Sequence, residues 1–277
     1  MNKMPTDKPF QIYKADALTK AEIKLTRSEN RLLSMMIMKL LQSAAKQKVD
    51  QYGNFDPNFN HDDLDISLLD LAQTVTFSEL KQLFNVKSLR KGSHTVAALQ
   101  QTCKTLKKKG ISLKDSYGSF YEAIFIPEIK FDARAQILTM STTRMMAACL
   151  LNFGRDKNYS LVDYELYFQL ESVFAQRILD WISRFKNQKD YVITVGELCK
   201  RLCIDRFAYA TTYDFKKTVL IGPIKEIVEK SKGLWTIQVG SKYGFELSPS
   251  AQLDHDITFK MSYDEQFGHE PLYIPAG

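Results

Sequence analysis

One ten-residue pattern occurs twice in this chain, and any fold it adopts must accommodate both copies. FSELKQLFNV runs from Phe77 to Val86, and VGELCKRLCI from Val195 to Ile204. Glu79 matches Glu197, Leu80 matches Leu198, Phe84 matches Leu202 and Val86 matches Ile204, all at an offset of 118 positions. The apolar residues recur at three- and four-residue steps, which predicts a short amphipathic helix in each copy. An irregular segment and a second helical pattern follow each one. The spacing predicts two related modules in tandem.

The surrounding sequence repeats the same order. Residues 1–17 read as a loose arm. LTRSENRLLSMMIMKLLQSAAKQK has apolar residues at 25, 32, 33, 36, 37, 40, 41 and 44, a helical period. Thr26 or Ser28 can cap that helix, with Glu29 in its first turn. DQYGNFDPNFNHDD is loop composition, and DISLLDLAQTVT leaves room for a short strand before the helix at 77–84. HTVAALQQTCKTLKKKG reads as a helix ending at Gly110 after a cationic last turn. ISLKDS, SFYEAIFIPEIKFD and AQILTMS read as strands, with turns at Tyr117-Gly118 and at Asp132-Ala133-Arg134. TTRMMAACLLNF is a further short helix. In the second half, DYELYFQLESVFAQRILDWISRF is helical and the strand YVIT leads into VGELCKRLCI. The loop DRFAYA then leads to the long helix of TTYDFKKTVLIGPIKEIVEKS, which Pro223 should kink or restart. LWTIQVG and YGFELSP are expected to pair as a hairpin around Ser241-Lys242. Helix, turn, helix, hairpin is the order of a winged helix. The expected fold is therefore α+β, with two tandem winged-helix domains. The expected boundaries are an arm over 1–17, a first module over 18–152, a second over 153–248 and an acidic tail over 249–277.

Bulk properties limit the classes of function. A chain of 277 residues suits two ordinary domains, and 44% hydrophobic with 25% charged residues is a soluble globular composition. No apolar run approaches the ~20 residues of a membrane-spanning helix, so no membrane partner is expected. MNKMPTDKPFQIYK has no apolar core of a signal peptide. The four cysteines, 103, 149, 199 and 203, are expected to be reduced cytosolic thiols. The net charge is +6, but the last 29 residues hold five acids against Lys260, a net −4, which leaves +10 on the first 248. A basic body points to a polyanionic partner, nucleic acid first. Solubility charge is the plain alternative.

A helix-turn-helix places its second helix in the major groove of double-stranded DNA, where base pairs differ in their donors and acceptors. In the second module the residues at that helix's entrance are Arg206, Tyr209, Thr211, Thr212, Tyr213, Lys216 and Lys217. Thr212, Lys216 and Tyr209 can share a face, with Phe215, Val219 and Ile227 on the buried side. Lys200, Arg201 and Lys242 are candidates for phosphate contacts. In the first module Lys87, Arg90, Lys91, Ser93 and His94 cluster at the corresponding entrance. Lys107, Lys108 and Lys109 more simply complement a helix C-terminus.

Other chemistry is poorly supported. Cys199 and Cys203 stand four apart, but no His pair or further Cys lies near, and packing explains them. The four histidines are isolated, and no phosphate-binding GxxxxGK[ST] loop occurs. No metal, cofactor or catalytic residue is expected.

TVGELCKRLCI, YDFKKTVLIGPIKEIVEKS and the following strands resemble the C-terminal winged helix of plasmid replication initiators, the iteron-binding Rep family. ESVFAQRILDWISRF resembles that family's Ser-x-Tyr-Ala-x-Arg pattern through Ser172, Ala175, Arg177, Ile178 and Leu179, and LTRSENRLLSMMI resembles its opening helix. The resemblance covers residues 18–248. Ala210, Thr211 and Thr212 stand where the family often has Lys or Arg, and GSKYG replaces its basic wing, so base readout is expected to rest on Arg206 and the threonines. The resemblance implies a cytoplasmic, non-enzymatic initiator that binds direct repeats at an origin as a monomer. It also implies dimers that repress the initiator's own gene, melting of adjacent DNA, and recruitment of the host initiator and helicase. A winged-helix transcriptional regulator is the alternative. A nicking enzyme is a further one, which the missing histidine motif argues against.

Overall fold

The computed structural model describes residues 11–15, 23–45, 65–84, 94–114, 120–151, 159–186 and 190–264. The chain divides into two compact units, one of residues 13–159 and one of residues 160–277 with residues 1–12.

The first unit is organised around α1 (Arg27–Ala45). Leu32, Leu33, Met35, Met36, Ile37, Met38 and Leu40 are all buried, so this helix is apolar on more than one face. Thr26 caps it. Its amide donates to Glu29 Oε2 at 2.7 Å and its hydroxyl accepts from the Glu29 amide at 3.3 Å, a reciprocal capping box. Strand β2 (Ala72–Val75) leads into α2 (Phe77–Phe84), and α3 (His94–Leu106) follows. Strands β3 (Gly110–Lys114) and β4 (Phe120–Ile124) form an antiparallel pair. Strands β5 (Glu128–Asp132) and β6 (Ile137–Ser141) return, and β6 lies between β2 and β5 in an antiparallel sheet. Helix α4 (Arg144–Leu151) closes the unit.

Strand β7 (Tyr159–Asp163) begins at the boundary, and α5 (Tyr164–Gln169) and α6 (Val173–Arg184) follow in the second unit. Ser172 caps α6, which buries Ala175 through Ser183. Strand β8 (Tyr191–Thr194) leads into α7 (Val195–Leu202). The second helix runs as α8 (Thr212–Phe215), a π-helical segment (Lys216–Ile221) and α9 (Gly222–Lys230). Strands β9 (Trp235–Ile237), β10 (Phe245–Leu247), β11 (Asp256–Phe259) and β12 (Met261–Tyr263) follow.

The two units share a plan down to the sheet. In each, a strand delivers a threonine that caps the repeated helix. Thr76 exchanges bonds with Glu79, and Thr194 accepts from the Glu197 amide at 3.1 Å. In each, that strand pairs with the returning strand, which pairs with the one before it: β2–β6–β5 and β8–β11–β10. Val75 and Leu80 are buried in the first unit, as Ile193 and Leu198 are in the second.

Three expectations need correction. Residues 1–17 are not all a loose arm, because β1 (Gln11–Ala15) pairs with β7. Strands β9 and β10 do not pair with each other; β9 pairs with β12, and β10 with β11. Residues 249–264 are no tail. They supply the central strand of the β8–β11–β10 sheet, and the alternating Ile257, Phe259 and Met261 are buried. Acid content masked a period-two strand pattern there.

Candidate nucleic-acid interface

The site is the helix-turn-helix of the second unit. Helix α7 ends at Cys203, which adopts the left-handed conformation with φ 53°. The amide of Ile204 donates to Cys199 O at 3.0 Å and that of Cys203 to Lys200 O at 3.1 Å, so the chain turns sharply out of the helix. Asp205 then caps a 3-10 turn over Arg206–Ala208, accepting from the Phe207 amide at 2.9 Å. Thr211 caps α8. Its hydroxyl accepts from the Asp214 amide at 3.0 Å and donates to Asp214 Oδ2 at 2.7 Å.

The α-helical pattern restarts at Gly222 with Pro223 in the first turn of α9, as the sequence predicts, and the chain stays helical through the join. The ring has no amide hydrogen and crowds the preceding turn. The helix answers with a π-helical stretch before it, in which the Gly222 amide donates to Lys217 O, five residues back. Phe215, Val219 and Ile227 are all buried, on the side the sequence places them.

A strap formed by residues 248–255 crosses both helices. Its carbonyls accept one donor after another from the helix-turn-helix. Lys216 Nζ donates to Ser248 at 3.0 Å, Thr212 Oγ1 to Ser250 at 3.3 Å and Arg206 Nε to Ala251 at 3.3 Å. The Gly196 and Val195 amides donate to Leu253 at 2.8 Å and to His255 at 2.9 Å. Gly196 permits the approach, since a Cβ there would stand 3.0 Å from the Leu253 carbonyl. The matching position of the first copy is Ser78.

This geometry reassigns several candidate readers. Arg206 is 8% exposed and does not reach out toward a base edge. Its Nη2 donates to Thr212 Oγ1 at 2.8 Å, and its guanidinium lies 4.8 Å from the centre of the Phe215 ring. Thr211 and Thr212 are engaged in the cap and the strap. Tyr209 is half-buried, edge-on to Phe215 at 5.4 Å. Lys216 is half-buried, and burial, with Arg206 nearby, lowers its ammonium below the usual lysine range. Arg201 is tied to Glu197 Oε1 at 2.7 Å and to the Tyr191 hydroxyl at 3.2 Å. Lys200, Lys217 and Lys242 are exposed. Lys242 stands in the turn between β9 and β10, its Nζ 5.0 Å from the Tyr243 ring centre.

In the first unit, Lys87, Arg90, Lys91 and Ser93 lie outside the described residues, and His94 opens α3. Lys107 and Lys108 are exposed. Lys109 has a definite partner, because its Nζ donates to the buried Glu29 at 2.6 Å and to Lys24 O at 2.5 Å. Cys199 is buried on the inner face of α7, and burial pushes its thiol up to about 11.

A family model described as "Initiator Replication protein, WH1" matches residues 11–183, which is more than half the chain. The chain belongs to this replication initiator family. The match spans the first unit and runs through α6 of the second. Among solved structures, the initiator's fold is similar to that in "Crystal structure of Pi initiator protein in complex with iteron DNA". The TM-score is 0.62 at 18% sequence identity, over 93% of this chain and 99% of that chain. The winged-helix architecture expected from the duplicated pattern is therefore the architecture found. No curated protein matches the initiator. Among its described residues, no helix is long and apolar enough to cross a membrane.

The strap and the exposed Phe207 were not expected from the sequence, whereas Tyr213 was. The strands beyond the strap carried one local signal, the alternation of Ile257, Phe259 and Met261, while their pairing with β8 did not show in the sequence.

Proposed function

We propose that this initiator binds direct repeats of double-stranded DNA, iterons, at a plasmid origin. It presents one winged helix per unit and acts by binding, without catalysis, in the cytoplasm. Bound along an array of repeats, it opens the adjacent duplex and recruits the host initiator and helicase. As a dimer it represses its own gene.

The observation that carries this reading is the duplication. Strand, capped helix, second helix and returning strands occur twice with the same sheet order, in a member of the replication initiator family. Two reading heads on one chain suit an extended direct repeat, which has no two-fold axis. A regulator more commonly carries one head per chain and meets an inverted repeat through a dimer. The structural neighbour, an initiator solved in complex with iteron DNA, adds support from a similar fold.

Footprinting the full chain on its plasmid's origin tests the proposal. Protection should cover several tandem repeats at a constant spacing. Protection of a single inverted repeat, with none at the origin, would replace initiation by transcriptional regulation.

A further inference from the structure

At the entrance of the second helix several polar side chains are tied to one another or to the strap, while some large apolar ones face solvent. Arg206 and Thr212 bond to each other and to the strap, Thr211 bonds to Asp214, and Lys216 reaches Ser248 O. Large apolar side chains project there, beside the exposed Asp205, Thr211 and Lys217. Phe207 is 77% exposed, Tyr213 64% and Leu253 45%, while Ala208 and Ala210 are exposed beside them. Phe207, Ala210 and Leu253 help line a depression of about 570 Å³ between the turn and the strap. Exposed apolar side chains gathered at a depression mark an interaction surface. Exposed Lys200 and Lys217 belong to the two helices that flank the turn.

An apolar patch flanked by ammonium groups selects among the features of a duplex. Lysines suit phosphates, which position a protein without reading sequence. The apolar feature that the major-groove edges of the bases offer is the C5 methyl of thymine, which phenylalanine and alanine side chains contact. We infer that this head reads thymine methyl groups, with Phe207 as the principal contact and the exposed Tyr213 of the second helix as a further one, rather than guanine acceptors through Arg206. The inference rests on the DNA-binding reading above and specifies its chemistry.

The test uses the duplex that the full chain selects from a random pool, with each thymine replaced in turn by deoxyuridine. This removes one methyl group and keeps every hydrogen-bonding atom. Binding should fall about fourfold at one or two positions, the factor that burying one methyl group gives. In Phe207→Ala the thymine and deoxyuridine duplexes should bind equally at those positions, which assigns the effect to this head rather than the first unit's. The variant's melting temperature should be unchanged, because the ring is mostly in solvent. Phe207→Leu keeps an apolar side chain and should retain part of the discrimination. The inference is overturned if deoxyuridine is tolerated everywhere while the selected duplex is still bound. It is equally overturned if Phe207→Ala leaves the thymine preference intact, including the case where that variant instead loses a host protein partner. In both results the DNA-binding reading survives. A chain that selects no sequence from the pool overturns both.

Discussion

Arg206 shows how far one side chain's role depends on where its stem is held. A guanidinium at the turn of a helix-turn-helix could reach guanine, yet here it lies over Phe215 and bonds to Thr212 and the Ala251 carbonyl. Hydrogen bonds involving a charged group contribute about 1.5–3 kcal/mol, and removing the donor leaves a buried carbonyl unpaired. Arg206→Ala should therefore destabilise the second unit by about 2–3 kcal/mol. The preference among bases should stay unchanged at temperatures where the variant is folded. Thermal melting and DNA selection on the same variant check both halves. A relaxed preference at one base pair with an unchanged melting temperature would put Arg206 back at the DNA. Glu29 makes a second residue-scale case. Burial acts to raise its carboxyl, but the bonds from Lys109, Thr105 and Thr26 outweigh it and hold the group below the ordinary carboxylate range. A carboxyl depressed in the folded state stabilises above its unfolded value of about 4.3 and loses that contribution as pH falls through the folded value. The gap in urea midpoint between the native chain and Glu29→Gln should be full near neutral pH and should close below about pH 4. A gap that persists unchanged into strong acid would mean that the charge is not what Glu29 contributes.

At the scale of elements, the strands after Ser248 have the largest consequence. Strand β11 holds β8 on one side and β10 on the other, and β12 holds β9. Ile257, Phe259 and Met261 are each almost wholly buried, and a buried side chain of this size contributes about 1.5–3 kcal/mol. Losing all three removes an amount comparable to a domain's whole net stability of about 5–15 kcal/mol. A chain that ends at Ser248 should therefore lose its second unit, while one that ends at Asp264 should keep it. Proteolysis and circular dichroism on the two truncations distinguish them, and a resistant second unit in the shorter chain would contradict the sheet order. The helices were readable in the sequence because each carries a cap and a 3.6-residue stripe, as Thr26–Glu29 and Thr194–Glu197 show. The C-terminal strands were hidden because local charge says nothing about pairing with β8, some sixty residues earlier. The π-helical stretch was hidden for another reason. Proline predicts a disturbance, but not that it takes the form of a widened turn, in which Val219 and Leu220 stay buried.

At the scale of the molecule, the uneven charge takes on a different meaning once the acids are placed. Asp254, Asp256 and Asp264 belong to the second head itself and are exposed on it, so the head is not uniformly basic. Its attraction for DNA must then come from particular lysines, and the structure separates those that face water from those that do not. Lys217 is exposed, whereas Arg206 is buried and Arg201 is paired with Glu197. A side chain that neutralises a phosphate releases counterions, and each such contact adds about −0.9 to the slope of log K against log salt. Lys217→Ala should therefore weaken binding to every duplex alike and make the slope shallower by about one unit. Arg206→Ala should leave the slope where it is, because a charge held under the strap releases no ion from the DNA. Titrations of both variants between low and moderate salt, on the selected duplex and on an unrelated one, decide the matter. Equal loss of slope in both variants would mean that the guanidinium swings out on binding. An unchanged slope in Lys217→Ala would place the phosphates elsewhere on the head.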